Sequence, residues 1–323
     1  MKRVSISLLT HNSLKYLPAC LDSIAAQTYP SIDLLIVDNA SSDGTVEFIR
    51  RHYSHIQLLA NTENRGYSAG HNQAIRASDG EFVLLLNPDV FMTPTFVEEK
   101  VRAAEQDDCV GMVEGRLLKA EFEGHSWRGT GLLDSTGLIL KKNRKNYERG
   151  HGEPDDGRYG VVEFVFGAFG AAPLYRRAML EDLRIGDEYL DEDFFAYREE
   201  VDLAWRAQLR GWRCIYTPTA VAYHVHAYTP ETRARQPSHL RRLQFRNRYL
   251  LMLKNDSVSN MLRHSPYILG FELLALGYVL LREPHLLLAY RDVVELWPRM
   301  MQKRLWIQSQ KLVPDAHMLQ WLT

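Results

Sequence analysis

The sequence predicts an α/β fold in which helices flank a mostly parallel central sheet, followed by a helical C-terminal extension. Over the first hundred residues, short apolar runs alternate with amphipathic segments, which is the pattern of βαβ units. The 323 residues are 46% hydrophobic and 24% charged, so the chain can bury a large core and does not have the composition of a disordered protein. Three cysteines, far apart in the sequence, offer no disulfide framework and favour a reducing, cytoplasmic setting.

The N-terminal strands and helices are expected to follow one another in alternation. Leu14, Leu17, Leu21 and Ile24 fall on one face of a helix that follows the first strand. A turn of Ser, Asp and Gly residues at 41–44 precedes the second helix. The predicted strands are residues 4–9, 34–37, 56–59 and 81–86, and the two later helices are residues 45–53 and 67–77.

The rest of the chain divides into an irregular middle, a short α/β stretch and a helical end. Residues 115–165, rich in Gly, Lys and Arg, are expected to form loops that could include a hairpin. A helix is predicted over 199–209, and strands are predicted over 213–216 and 220–223. From residue 238 onward, helices are expected, with breaks at Pro266, Pro284, Pro298 and Pro314.

Two aspartates, Asp38 and Asp89, stand at the ends of predicted strands, Asp38 directly after 34–37 and Asp89 three residues beyond 81–86. Each alone is typical of a loop acid or a helix cap. In an open parallel sheet, however, ligands bind outside the carboxyl ends of the strands, and both aspartates lie at such ends. Asp89 also supplies the hard oxygen ligand that holds Mg²⁺ or Mn²⁺ together with substrate phosphates. Together the two residues predict a site at this edge of the sheet.

An acidic run at residues 187–202 is the second candidate feature. It holds eight acidic side chains against the single Arg198. Such a run is usually a solvated face, but aromatic and aliphatic residues interleave with this one. Carboxylates crowded beside apolar rings can have a raised pKa, which a general base working near neutral pH needs.

A pair of histidines, His224 and His226, follows the last predicted strand. Both would point to one side if the strand continued through them. One of them with a carboxylate could complete a metal site, and the alternative is a hydrogen-bonded surface feature.

A competing motif is the sequence Gly66-Tyr67-Ser68-Ala69-Gly70, which fits the nucleophile elbow of α/β hydrolases. On this alternative Ser68 would be the nucleophile of an esterase. The elbow needs a strand that runs directly into the serine turn, whereas residues 61–65 intervene here. This hypothesis is therefore the weaker one.

Seven different short motifs follow one another along the chain: Thr10-His11-Asn12, the Val-Asp-Asn-Ala-Ser-Ser-Asp-Gly run at 37–44, Asn64-Arg65-Gly66-Tyr67, Asn87-Pro88-Asp89, Gly167-Ala168, the acidic run with Glu199-Glu200, and His224. Each is weak evidence alone. In this order the series resembles the family 2 inverting glycosyltransferases of the GT-A fold, especially their bacterial rhamnosyltransferase-like branch. The resemblance runs from residue 4 to about residue 229 and more loosely to the end. It implies a Rossmann-like central sheet.

The resemblance implies a role for each matched residue. Asp89 matches the metal-binding last acid of the family's Asp-x-Asp motif, where Asn87 replaces the first Asp, and His224 matches a further metal ligand. Glu200 matches the catalytic base, for which the family often has Asp. The residues expected around the nucleotide are Thr10, Asn12, Asp38, Asn64, Arg65, Gly66 and Asn87, with Asp38 accepting a hydrogen bond from the base. Those expected to line the active site on the acceptor side are Gly167, Ala168, Asp191, Glu199 and Asp202.

The mechanism that the resemblance implies is a single displacement with inversion at the sugar's anomeric carbon. Mg²⁺ or Mn²⁺ would neutralise charge on the departing nucleoside diphosphate, and Glu200 would take the proton of the acceptor hydroxyl. The Asn87 variation resembles the branch that uses dTDP-rhamnose. The expected donor is therefore dTDP- or UDP-linked, and the expected acceptor is a glycan or lipid-linked saccharide of the cell envelope. A carbohydrate-binding remnant is disfavoured, because the metal and base positions are both acidic.

The domain boundaries follow the same comparison. Residues 1–230 are expected to form the GT-A catalytic domain, with a nucleotide-sugar half up to about residue 115 and an acceptor half over 116–230. Residues 231–323 are expected to form a helical, basic region.

The net charge of −1 hides two opposed regions. Residues 1–230 hold 25 basic and 33 acidic side chains, whereas residues 231–323 hold 14 and 7. No uniformly basic surface is expected, and hence no nucleic-acid partner. The basic C-terminal region is expected either to lie peripherally on the inner face of the cytoplasmic membrane or to pack on the catalytic domain. Its most apolar segment, 266–281, carries Glu272 and is shorter than the ~20 residues of a spanning helix.

The basic residues of this region fall in two groups. The first, within a stretch free of acids from 232 to 255, comprises Arg233, Arg235, Arg241, Arg242, Arg246 and Arg248. The second, mixed with Trp297 and Trp306, comprises Arg299, Lys303 and Arg304.

Overall fold

The computed structural model describes residues 1–123, 126–225 and 236–323. Its strands are β1 (Val4–Thr10), β2 (Ile32–Asp38), β3 (Gln57–Ala60), β4 (Phe82–Leu86), β5 (Val90–Met92), β6 (Val110–Glu123), β7 (Ser126–Ser135), β8 (Leu138–Leu140), β9 (Asn146–Glu148), β10 (Glu163–Val165), β11 (Leu174–Arg176) and β12 (Arg213–His224). Its helices are α1 (Leu17–Ala25), α2 (Thr45–His52), α3 (Gly66–Arg76), α4 (Phe96–Ala104), α5 (Arg177–Leu183), α6 (Glu199–Leu209), α7 (Ser238–Asn255), α8 (Val258–Arg263), α9 (Ser265–Arg282) and α10 (Leu287–Gln310).

The central sheet is mixed but mostly parallel, and its main path has the order β10-β12-β6-β11-β4-β1-β2-β3. Strands β3, β2, β1 and β4 are parallel neighbours. Strand β11 is antiparallel to both β4 and β6, so β6 and its parallel partner β12 run in the same direction as β4. The predicted α/β fold class is confirmed, and the carboxyl ends of these six strands meet at one edge.

Strand β4 shows why the sequence of a central strand is apolar at every position. Its residues Phe82, Leu84 and Leu86 enter a core shared with α1 and α4. The alternate residues, Val83 and Leu85, enter a second core on the opposite face, shared with α5, α6 and α7. Because both faces are covered by helices, both sets of side chains are apolar.

Residues 115–165, expected to form loops that could include a hairpin, do contain a hairpin and have more strand than expected. Strands β6 and β7 form a long antiparallel hairpin that joins the central sheet. The outer half of β7 is exposed, which accounts for its polar and glycine-rich composition. The two strands predicted at 213–216 and 220–223 are one strand, β12, whose register shifts between Thr217 and Val221. Pro218 lies in this irregularity, where a missing N–H is tolerated.

The helical C-terminal region is confirmed from Ser238 onward. Pro266 stands in the first turn of α9, as expected for a helix start. The predicted break at Pro298 is wrong, because α10 continues through it. The carbonyl that this proline leaves without a donor belongs to Val294, which is 71% exposed and can bond to water.

The C-terminal helices pack on the rest of the protein. Arg144, in the turn between β8 and β9, is fully buried and its Nε donates to Asp256 Oδ2 at 2.7 Å. Met300 and Ile307 of α10 enter the second core. Of the two alternatives for this region, packing on the N-terminal part of the chain therefore describes α7 and α10.

Candidate functional site

Thr10 and Asp38 lie side by side at the carboxyl ends of β1 and β2, where the strand register pairs them. Thr10 Oγ1 donates to Asp38 Oδ2 at 2.8 Å, and the carboxylate also accepts from the backbone N–H of Ser41 at 2.9 Å. Asp38 is fully buried. Its contact with a nucleotide base stays a prediction, and such a contact would require the loop at Ser41 to open.

Asn12 lies on the exposed side of the same loop, in the left-handed conformation with φ 51°. Its side-chain Oδ1 accepts from the N–H of Ser42 at 2.8 Å, and its own N–H donates to Ser41 Oγ at 2.8 Å. Asn12 thus fixes the loop that follows β2 and forms the rim of this part of the site.

The Asn64-Arg65-Gly66 segment forms the start of α3. Asn64 Oδ1 accepts from the Gly66 N–H at 2.9 Å, and Arg65 is exposed just before the helix. Gly66 has φ +81°, and a Cβ there would come within 2.5 Å of the Phe195 carbonyl oxygen. The same oxygen accepts from the Tyr67 N–H at 2.6 Å. The fold therefore brings the predicted nucleotide loop against the acidic run.

Asp89 and His224 are brought together by the pairing of β5 with β12, in which Val90 lies opposite His224. His224 Nε2 is 3.5 Å from Asp89 Oδ1, and His224 Nδ1 is 2.8 Å from Asp134 Oδ2. Burial opposes the charged imidazole, but Asp89 and Asp134 outweigh it and raise the pKa of His224 to about 10. The other candidate, His226, lies outside the described residues.

The donor set of this pair fits a divalent cation. Within residues 1–123, 126–225 and 236–323, no group of three or more His, Cys, Asp or Glu side chains is arranged to hold a metal. One carboxylate and one imidazole nevertheless suit an ion that completes its shell with phosphate oxygens and water. Asp134 on the far nitrogen of His224 is the usual outer partner of a metal-binding histidine.

The adjacent glutamates Glu199 and Glu200 begin α6. Glu200 is 8% exposed, and burial raises its pKa to about 7, with Glu148 adding to the shift and Arg198 opposing it. Burial and the charge of Glu200 raise the pKa of Glu199 well above its ordinary value. Glu199 Oε2 has no hydrogen-bond partner among the residues that the structure describes. Of the pair, Glu200 has a pKa suited to a base near neutral pH.

Residues in the segment 169–171 lie next to both the predicted metal ligand His224 and the predicted base Glu200. The Phe169 ring centroid is 6.0 Å from that of His224. A Cβ on Gly170 would lie 3.6 Å from Glu200 Cγ, and the Gly170 carbonyl accepts from the Tyr67 hydroxyl at 2.5 Å. The predicted base and the predicted metal ligand His224 therefore neighbour adjacent residues of one short segment.

Two buried charged side chains form hydrogen bonds with the backbone of this segment and of the residue that follows it. Glu114 Oε2 accepts from the Phe169 N–H at 2.5 Å, and Lys100 Nζ donates to the Ala172 carbonyl at 2.5 Å. Burial raises the pKa of Glu114 to about 7 and lowers that of Lys100 to about 8. Asn87 contributes its backbone N–H, which donates to the Ala171 carbonyl at 2.9 Å. Its predicted role toward the nucleotide stays a prediction.

Asp191 and Asp202 are buried in a cluster of ions. Lys254 Nζ lies 2.5 Å from Asp191 Oδ2 and 2.7 Å from Asp202 Oδ1. Lys303 Nζ is 2.5 Å from Asp191 Oδ1, and Arg206 Nε is 2.9 Å from Asp202 Oδ2. Burial would raise the pKa of Asp191, but the two lysines hold it well below its usual range. The structure gives these aspartates bonds within the protein, and neither presents an open carboxylate to an acceptor.

Gly167 and Ala168 are also buried, in the second core. A Cβ on Gly167 would come within 2.4 Å of the Ala204 Cβ, so the glycine lets this segment approach α6 closely. Their predicted place in the lining of the acceptor side stays a prediction, because the contacts that the structure shows are packing contacts.

The hydrolase alternative is wrong. Ser68 lies in the first turn of α3 rather than on a turn between a strand and a helix, and it is fully buried. His71, one turn later, is also fully buried, and its Nδ1 lies 2.7 Å from Ser7 Oγ. A nucleophile needs access to its substrate, which this position does not give.

Five residues that support the site were not predicted from the sequence as part of it: Lys100, Glu114, Asp134, Lys254 and Lys303. Asp134 lies in β7, within the stretch expected to form loops that could include a hairpin, and Glu114 lies in β6 just before that stretch. Lys254 and Lys303 come from the basic C-terminal region, which was expected either to lie on a membrane or to pack on the catalytic domain. In each case, a partner far away in the sequence decides the role.

The family described as glycosyl transferase family 2 matches residues 5–183. Among curated relatives, the N-acetylglucosaminyl-diphospho-decaprenol L-rhamnosyltransferase of Mycobacterium tuberculosis is 25% identical over 241 residues, which cover 68% of this chain and 75% of that protein. EpsH of Bacillus subtilis is 25% identical over 209 residues, covering 60% of this chain. The chain spans about half, 55%, of the length of EpsH.

Solved structures share the fold. The mannosyltransferase PcManGT from Pyrobaculum calidifontis, in complex with GDP-Man and Mn²⁺, has a TM-score of 0.55 at 20% identity, covering 99% of this chain and 79% of that one. TarS 1–349 of S. aureus, in complex with UDP, has a TM-score of 0.57 at 16% identity, covering 98% and 92%. With more than half of its residues matched by the family, the chain belongs to glycosyl transferase family 2.

Proposed function

We propose that this protein is a metal-dependent inverting glycosyltransferase that transfers a sugar from a nucleotide-sugar donor to a saccharide acceptor. The observation that carries the proposal is that Glu200, a buried carboxyl whose pKa is raised to about 7, neighbours Gly170, while His224, paired with Asp89, neighbours the adjacent Phe169. A base and a pair of metal ligands held about one short segment are the two functions that such a displacement needs.

Glu200 acts as the general base. In the reaction, the acceptor hydroxyl oxygen forms a bond to the anomeric carbon while the bond from that carbon to the diphosphate oxygen breaks. The proton of the hydroxyl passes to the Glu200 carboxylate, and the nucleoside diphosphate leaves with the bonding electrons. Because base and leaving group lie on opposite faces of the sugar, the configuration is inverted.

Asp89 and His224 would hold Mg²⁺ or Mn²⁺. Such an ion, when bound, neutralises the charge that develops on the departing diphosphate. Asp134 keeps the imidazole of His224 turned so that Nε2 faces Asp89. Lys100 and Glu114 fix the backbone of 169–172, so the two halves of the site keep their spacing.

We propose rhamnose, carried by dTDP, as the transferred sugar, and a glycan or lipid-linked saccharide of the cell envelope as the acceptor, with the reaction in the cytoplasm. Asn87 in place of the first acid of the metal motif and the likeness to a mycobacterial rhamnosyltransferase support this choice. Other family relatives are described with GDP-Man or UDP, so UDP-linked and GDP-linked donors belong in the test.

The test is a panel of nucleotide sugars, among them dTDP-rhamnose, UDP-N-acetylglucosamine and GDP-mannose, incubated with the full chain and Mn²⁺ or Mg²⁺. Saturable donor binding and release of nucleoside diphosphate with one donor are expected. Glu200→Gln should bind that donor with unchanged affinity and release at least about 100-fold less product, which is the typical contribution of a general base. Absence of both binding and release across the panel would refute the glycosyltransferase proposal, and a preference for another sugar would refute rhamnose alone.

A further inference from the structure

The outward side of α9 is covered by leucines. Leu273, Leu274 and Leu281 are 73%, 77% and 83% exposed, although leucine is normally a buried residue. We name as the leucine face the exposed leucines of this helix: Leu269, Leu273, Leu274, Leu276, Leu280 and Leu281. Leu287 and Leu288, which follow α9 across one short turn, are also exposed. So many exposed leucines along one helix indicate a binding site for a protein or a membrane.

The inward side of α9 is tied to the protein along its length. Ile268 and Val279 are buried, and Glu272 lies between them at helical spacing on the same side. Glu272 accepts from the Tyr249 hydroxyl at 2.5 Å and pairs with Arg248 at 2.5 Å, both on α7. By length and composition α9 could cross a membrane, but only 11% of its residues are buried inside the protein. These contacts hold one side of α9 on the protein and leave the other side free, which suits a helix that lies in a membrane surface.

The exposed charged residues at the two ends of α9 are positive. Arg263, just before the helix, and Arg282, its last residue, are both exposed, and the 18 residues of α9 span about 27 Å. Between residues 258 and 282, Glu272 is the single acid, and it bonds inward to α7. The leucine face is therefore bounded by cations, which matches the anionic headgroups of a bilayer.

The arginines of α7, which the sequence suggested for such a membrane contact, are used inside the protein. Arg242 pairs with Asp292, Arg241 Nε lies 3.3 Å from Glu283 Oε2, and Arg248 pairs with Glu272. Arg246 Nη2 donates to the Asp193 carbonyl at 2.6 Å. Arg233 and Arg235 lie outside the described residues. Any attachment to a membrane through the described part of this region therefore depends on leucine insertion more than on a basic surface.

We propose that the leucine face of α9 inserts into the headgroup and upper acyl layer of an anionic lipid bilayer, with the helix parallel to the membrane plane. Arg263 and Arg282 contact anionic headgroups at its two ends. This inference does not depend on the proposed reaction.

The test is sedimentation of the full chain with two kinds of vesicle: phosphatidylcholine alone, and phosphatidylcholine mixed equally with phosphatidylglycerol. The protein is expected to bind the mixed vesicles, and the variant Leu273→Ser/Leu274→Ser/Leu281→Ser is expected to bind about tenfold less or not at all. The control variant is Val161→Ser/Leu312→Ser. It replaces two apolar side chains outside α9 that are 64% and 69% exposed, and it should bind vesicles as the parent does.

Two further measurements keep the outcome decisive. Arg263→Gln/Arg282→Gln should weaken binding to the mixed vesicles and leave little dependence on salt, whether or not the serine variant folds. Light scattering in solution identifies the alternative occupant, a second copy of the chain. A parent dimer that the serine variant converts to monomer, with no vesicle binding, would overturn the proposal. Equal vesicle binding by the parent and a folded serine variant would overturn it as well.

Discussion

The ammonium group of Lys254 lies 2.7 Å from Oδ1 of Asp202, and both side chains are fully inaccessible to solvent. Lys254 belongs to α7, and Asp202 lies in the first turn of α6, two residues after Glu200. The same nitrogen contacts Asp191, so one C-terminal cation joins the acidic run to the helix that carries the predicted base. The basic end of the chain thus neutralises the acidic segment beside the site.

Replacing Lys254 by Met should destabilise the protein strongly. The substitution leaves Asp191 and Asp202 buried with part of their charge uncompensated, which costs about 3–5 kcal/mol. Urea unfolding measures the free energy. Lys311→Met is the control, because its pair with Asp315 is partly exposed and should contribute less than about 1 kcal/mol. Equal losses of unfolding free energy in the two variants would contradict a stabilising role for the buried ion pairs that join α7 to α6.

The transfer rate should fall as pH decreases through about 7. Glu200 must be ionised to accept a proton, and burial raises its pKa to about 7. Below that value the rate should drop about tenfold for each pH unit. The measurement is product release at saturating donor and acceptor across this range, with circular dichroism at each pH to confirm that the fold persists. A flat profile from about pH 5 to pH 8 would remove Glu200 from the role of base.

Glu199→Gln should stabilise the protein at alkaline pH and have little effect near pH 5. The pKa of Glu199 lies well above the ordinary value in the folded state, so the folded chain keeps a proton that the unfolded chain has lost. Stability therefore declines as pH rises from the unfolded pKa toward the folded one, by up to about 1.4 kcal/mol per pH unit. A glutamine cannot titrate and escapes this loss. Unfolding of both proteins at the two pH values measures the difference, and a constant difference would contradict the raised pKa.

Asp134→Asn should weaken the affinity of the site for its metal ion without changing the predicted metal ligands. Asp134 orients His224 through Nδ1, and loss of such an outer partner typically costs about 10–100-fold in metal affinity. The Mn²⁺ concentration that gives half of the maximal rate should rise by this factor. His151→Gln is the control, because His151 contacts Asp134 from another side and its loss leaves the contact with His224 in place. Equal Mn²⁺ dependence in the parent and Asp134→Asn would argue against a metal ion at Asp89 and His224.

The residues predicted from the sequence are those whose signal is local. Asp38 and Asp89 could be located because each follows a short apolar run, and Glu200 because it matches the base position of the family that the sequence resembles. Asp134 could not, since its role depends on how β7 pairs with β6 and brings it to His224. Pairing between distant strands is set by register, which a single sequence does not reveal.

Charge patterns were the least informative part of the sequence. The basic residues of α7 and α10 left open whether this region lies on a membrane or packs on the catalytic domain, and Lys254 and Lys303 are buried against Asp191. Whether a charge faces water or a partner depends on which helix faces pack together. From the sequence, the apolar segment of α9 is notable only for being shorter than a typical membrane span. That its leucines are exposed becomes visible only in the packed structure.

Gly66→Ala should disturb the site more than an equally strained alanine elsewhere. Gly66 and Gly157 both have positive φ, +81° and +89°, so an alanine at either costs about 1–2 kcal/mol in backbone strain. A Cβ on Gly157 meets nothing within 4 Å, whereas a Cβ on Gly66 would lie 2.5 Å from the Phe195 carbonyl oxygen. The comparison therefore isolates the contact between the start of α3 and the acidic run. We expect Gly66→Ala to lose more stability than Gly157→Ala in urea unfolding, and to lower donor affinity, because the loop bearing Asn64 and Arg65 must move away from Phe195. If the two variants lose the same stability and bind donor alike, the close approach at Gly66 is not needed for either the fold or the site.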